Sequence, residues 1–153
     1  MKISALNEGV SLIANIGVIG SIIFLGLEMQ QNTEMTQSQT RNSIVENQLS
    51  VYEKMIENPE LFDIADKRSA NLDVADAERQ QLHVFILSQL RIWENEFYQY
   101  QIGLYAAEEF EARKIWWGKI MRRPVNLQTW RVEQETFYPD FRIYMNELLD
   151  EIS

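Results

Sequence analysis

The hydrophobic and polar positions divide this chain into one long apolar stretch and a series of amphipathic ones. From Gly9 to Leu27 no residue is charged, and Glu8 and Glu28 bound the run. Coiled as a helix it spans roughly 28 Å, close to the hydrocarbon thickness of a bilayer. Three fates fit such a run: a membrane-spanning helix, a helix buried in a soluble bundle or dimer, or a cleaved signal peptide. The signal-peptide reading is the weakest, because the basic segment holds only Lys2, the apolar run is long and no A-x-A site follows. Gln30 to Ser43 is polar on every face and contains neither Gly nor Pro, so the helix is expected to continue to Asn58. Apolar spacing returns at Val45, Leu49, Tyr52 and Ile56, which are expected to join a core, and Pro59 ends the helix or starts the next one.

Beyond Pro59 the periods stay helical. A short helix is predicted to Ala70, with Leu61, Phe62, Ile64 and Ala65 partly buried and Asn71 and Asp73 marking the break. Asp73 is the expected N-cap of the next helix. Leu82, Ile86, Trp93, Phe97, Tyr100 and Leu104 form its apolar stripe, filled by Phe85 and Leu90, and Gly103 lies near its end. A fourth helix over 106–121 places Phe110, Lys114, Trp117 and Met121 on one face. Pro124 breaks the chain, Asn126 is the expected cap of a fifth helix with Leu127, Trp130, Gln134 and Phe137 inside, and Tyr138-Pro139-Asp140 starts a last helix. Phe141, Tyr144 or Met145, Leu148 and Ile152 would be its buried face. No segment alternates with period two. The expected class is all-α: a transmembrane helix (1–29), a polar helical stalk (30–44) and a small antiparallel helical bundle (45–153).

Composition narrows the chemistry. The chain has 153 residues, no cysteine and a net charge of −9. Disulfides, thiolate zinc and cysteine nucleophiles are excluded, and an acidic domain repels nucleic-acid phosphates. Arg113, Lys114, Lys119, Arg122 and Arg123 form the one local basic exception.

Phe24-Leu25-Gly26-Leu27-Glu28-Met29-Gln30-Gln31-Asn32-Thr33 resembles the end of the anchor in a widespread group of small, uncharacterised bacterial membrane proteins. Trp93-Glu94-Asn95, Phe97-Tyr98-Gln99-Tyr100 and Gly103-Leu104 are similar to that group's central helix. Trp130 to Phe137, Tyr138-Pro139-Asp140-Phe141 and Tyr144 are similar to its C-terminal segment. The resemblance implies a single-pass protein of the bacterial inner membrane and carries no activity, ligand or catalytic residue. Group members commonly have arginines after the anchor, holding that flank in the cytoplasm; here Glu28 and Glu34 occupy it and Arg41 comes late. The count of positive flanks, Lys2 and the amine against Arg41, instead puts the N-terminus inside. On the resemblance, the helical domain is expected in the cytoplasm.

Three sets of residues are candidates for function. Ala14, Gly17 and Ser21, with Gly20 and Asn15 beside them, form a small-residue face on which membrane helices could associate, with lipid, a second copy or other membrane-protein helices as partners. Arg91, Glu94, Asn95, Tyr98 and Gln101 form a polar seam if they face inward, able to bind a small ligand or to fix helix packing; otherwise they are a solvated face. Trp116, Trp117, Arg122 and Arg123 have the composition of a protein interface or a headgroup belt, or else are a plain core tryptophan with two solvated arginines; adjacent helical positions cannot both face the core, so one tryptophan is expected near the surface. His83 is the sole histidine and lacks a Glu-x-x-His context, and no phosphate loop or nucleophile motif occurs, so no cofactor, metal or catalytic residue is expected. The functional expectation is a non-enzymatic, membrane-anchored interaction protein, as in an accessory subunit of a membrane complex. The alternative is a ligand-binding or sensory bundle using Glu94 and Tyr98.

Overall fold

The computed structural model describes the backbone of residues 2–152 and the side chains of residues 8–152. Described residues form six α-helices and no strand: α1 (Lys2–Glu57), α2 (Glu60–Ser69), α3 (Asp76–Gln101), α4 (Ala107–Met121), α5 (Pro124–Glu133) and α6 (Pro139–Ile152), with a 3-10 turn at Gln134–Thr136 before α6. The class is all-α, as the periodicity required. Two compact units divide between Gln39 and Thr40. Ile44, counted above with the polar stalk, is 2% exposed and belongs to the core of the second unit.

The first unit is helix alone. Its most apolar 18-residue window has a mean hydropathy of 2.3 and is 0% buried. Ser21 Oγ donates to the Gly17 carbonyl at 2.8 Å, a local bond that satisfies a hydroxyl without a neighbouring element.

The second unit is built around α3. Leu82, Ile86, Leu90, Trp93 and Phe97 are buried along it, against α2, α4, α5 and α6. Aromatic rings fill the centre. Trp93 stacks on Trp117 at 5.2 Å between centroids, Tyr100 on Phe110 at 4.1 Å, and Phe141 meets Trp130 edge-on at 5.8 Å. Each such ring removes about 150–250 Å² from water, or about 4–6 kcal/mol of transfer free energy before conformational entropy is set against it.

The helix ends follow local chemistry, with three corrections. Asn71 adopts φ 55° and Gly103 φ 76°, and each closes the helix before it. Leu72 N–H donates to Lys67 O at 2.8 Å and Leu104 N–H to Gln99 O at 2.9 Å, satisfying carbonyls that a helix end leaves open. Asp73 is not the N-cap of α3. That helix starts at Asp76, and Glu78 Oε2 accepts from the Ala75 N–H at 3.0 Å, while Asp73 Oδ1 accepts from Val74 N–H. Pro124 is the first residue of α5 rather than a break before it, because its missing N–H costs nothing there. Asn126 is therefore inside the helix and buried, and its Nδ2 donates to Ile120 O at 2.8 Å, fastening α5 to the end of α4. Val125, Asn126, Thr129 and Trp130 are the buried residues of α5, and Leu127 and Gln134, expected on the inner side, are half-buried.

The stripe on α1 is also corrected, by one residue. Ile44 is buried and Gln48, Val51 and Met55 are half-buried, whereas Val45, Leu49, Tyr52 and Ile56 are 46%, 51%, 42% and 78% exposed. Both sets step by 4, 3 and 4, so periodicity alone cannot choose between them.

Candidate functional site

The polar residues of α3 do not form an inward seam. Asn95, Tyr98 and Gln101 are exposed, and Asn95 Oδ1 accepts only from Gln99 Nε2, at 3.4 Å. Arg91 and Glu94 are the pair the structure brings together. Arg91 Nη1 donates to Glu94 Oε2 at 2.8 Å, and Nη2 donates to both oxygens of Thr136 at 3.0 Å. The guanidinium lies 3.9 Å from the centre of the Phe137 ring. Glu94 Oε1 accepts from the Tyr138 N–H at 2.6 Å, placing a carboxylate at the start of α6, where the helix dipole favours it. The pair clamps the segment between α5 and α6 onto α3. Its hydrogen bonds run to the chain itself.

The buried polar residue of α3 is Glu96, 0% exposed. Arg113 Nε donates to Glu96 Oε2 at 2.8 Å and Gln48 Nε2 to Glu96 Oε1 at 3.1 Å, so one carboxylate joins α1, α3 and α4. Tyr105 lies alongside; burial first, then the Glu96 charge, push its phenol above the ordinary tyrosine range, and a hydrogen bond with Gln48 opposes them. Position 96 falls between Trp93 and Tyr100 on the apolar stripe, which was the available sign that this glutamate is buried. Both carboxylate oxygens are engaged, which makes the group a helix connector.

Trp116, Trp117, Arg122 and Arg123 do not gather on one surface. Trp117 is fully buried against Trp93, while Trp116 is 41% exposed and the two arginines are exposed. Adjacent helical positions point about 100° apart, which forces the split. Trp116 instead lines an open cleft of about 400 Å³ with Val45, Tyr52 and Tyr105. His83 Nε2 lies 3.2 Å from Glu133 Oε1 at a cleft of about 290 Å³ whose rim carries Arg68 and Arg79 and whose floor is Leu82, Ile86 and Val125. Among the described residues no group of three His, Cys, Asp or Glu side chains could hold a metal ion.

On the first unit, Ala14, Asn15, Gly17, Gly20 and Ser21 are all exposed, and a Cβ added at Gly17 or Gly20 would meet nothing within 4 Å. Among the described residues, the apolar run Gly9–Leu27 and the stripe Val45, Leu49, Tyr52 and Ile56 are both exposed. No protein-family model, curated protein or solved structure matches the chain.

Proposed function

We propose that the chain is a membrane-anchored interaction protein acting by association rather than catalysis, as an accessory subunit or small scaffold in the bacterial inner membrane. One observation carries this reading. The apolar window of α1 is 0% buried, whereas residues 40–153 have a closed aromatic core of their own. Apolar surface on that scale is unfavourable in water, and lipid supplies the missing environment. We put the helical domain in the cytoplasm on the resemblance of the anchor and the C-terminal segments, although the flank carries Glu28 and Glu34 where group members carry arginines. The ligand-binding alternative loses its support, since Tyr98 and Gln101 face outward and Glu94 is engaged by Tyr138.

The test is alkaline carbonate extraction of membranes containing the full chain, with protease added to either side. Retention in the pellet and protection of the domain in right-side-out vesicles are expected. Release into the supernatant would overturn the anchor, and digestion in right-side-out vesicles would overturn the orientation.

A further inference from the structure

Resting on that anchored reading, we propose that the occupant of the exposed α1 stripe is α1 of a second copy, packed in parallel as a two-stranded coiled coil. Three observations converge. First, Val45, Leu49, Tyr52 and Ile56 are exposed although the stripe one residue earlier holds the helix to its own domain. This part of α1 has two apolar sides and only one is covered. Second, steps of three and four counted back along the sequence from Val45 pass Asn42, Ser38, Met35, Gln31 and Glu28 and reach Phe24, Ser21, Gly17 and Ala14 without a slip. The small-residue face and the domain-borne stripe therefore occupy the same heptad positions, a pattern that a shallow left-handed supercoil keeps in one seam. Third, the polar residues fit a parallel pair. Asn42 falls at an a position, where asparagine pairs with its own copy and selects two strands in register. Arg41 and Glu46 fall at g and the following e, the positions whose opposite charges meet across a parallel dimer, while Arg41 Nε also pairs with Glu109 Oε1 of its own chain at 2.9 Å.

A common anchor supplies the direction, since two copies inserted alike enter the domain side by side. It also supplies concentration: two heptads are short for a free coiled coil, and confinement to a membrane makes the second encounter local. Glu28 is the one charged seam position, and its repulsion from its own copy is expected to splay the strands there. Trp116, beside Val45 and Tyr52, lies at the edge of the seam and becomes buried with it.

The chain contains no cysteine, so single substitutions report unambiguously. In vesicles of phosphatidylethanolamine and phosphatidylglycerol, Leu49→Cys and Tyr52→Cys are expected to oxidise to covalent homodimers about tenfold faster than Asn47→Cys and Lys54→Cys, because only seam positions bring Cα atoms within disulfide reach. Adding Gly17→Ile to Tyr52→Cys is expected to slow that reaction severalfold if one seam serves both segments. Equal rates at all four positions, adducts only with other proteins, or indifference to Gly17→Ile would overturn the proposal. Carbonate extraction of the same samples separates the two readings. Retained protein without seam-selective dimers sinks the coiled coil and leaves the anchor, while released protein with seam-selective dimers sinks the anchor and leaves the coiled coil.

Discussion

Arg113 and Glu96 form an ion pair inside the helical domain, Nε to Oε2 at 2.8 Å, with side chains 11% and 1% exposed. Removing one partner leaves an uncompensated charge among aromatic rings. Arg113→Ala is expected to cost about 3–5 kcal/mol, measured by denaturant unfolding of the full chain in detergent micelles. Glu96→Gln combined with Arg113→Met is expected to cost less than the single change, because no charge is left stranded. A double variant as unstable as Arg113→Ala would show that the pair's geometry, rather than charge balance, sets the stability.

The Tyr144 hydroxyl is shielded from water and has no hydrogen-bond partner among the described residues. Burial first, then the nearby Glu111 charge, raise its pKa well above the usual value of 10.0. Above pH 10 the unfolded chain releases this proton while the folded one retains it, so rising pH favours unfolding. The stability tied to neutral Tyr144 is complete below that pH and is lost as pH climbs toward the folded value. Tyr144→Phe removes both effects. A gain of about 1 kcal/mol at neutral pH and a flatter decline above pH 10 are expected in thermal melts.

Two glycines should respond to alanine with opposite signs. Gly103 sits at φ 76°, where a Cβ is strained, so Gly103→Ala is expected to cost about 1 kcal/mol. Gly118 lies within α4, and an added Cβ would make ordinary contact with Ile152 Cγ2 at 3.4 Å. Gly118→Ala is expected to stabilise by up to about 1 kcal/mol through helix propensity. Melting temperatures of the two variants decide both cases.

The register of α1 can be read from a matched pair of changes. Ile44→Asp buries an unpaired charge and is expected to cost more than about 3 kcal/mol, while Val45→Asp is expected to change the unfolding of the dissociated single copy, in dilute detergent micelles, by no more than about 0.5 kcal/mol. The near-UV circular dichroism of the aromatic core reports each. Equal damage from both would refute the one-residue offset.

Much of this arrangement was legible before any coordinates. Helix periods, Pro59, Asn71 and Gly103 act within a few residues of themselves, and the helices end where they indicate. Trp93, Phe97, Phe110, Trp117 and Phe141 are buried as their spacing required. The caps were less legible, because Asp73 and Asn126 suit several hydrogen-bonding roles and the neighbouring element chooses among them. Glu96 is less legible: its place on the apolar stripe hints at burial, but the partners that make that burial tolerable, Gln48 and Arg113, lie on other helices.

Sequence alone determined the all-α class and the uncharged run from Gly9 to Leu27, because period and charge are properties of neighbours along the chain. Tertiary structure alone decided which of two equally spaced stripes on α1 faces the domain and which side chains meet the buried carboxylate of Glu96. Those choices depend on what packs across from each residue, and a helical repeat describes a face without saying what that face meets.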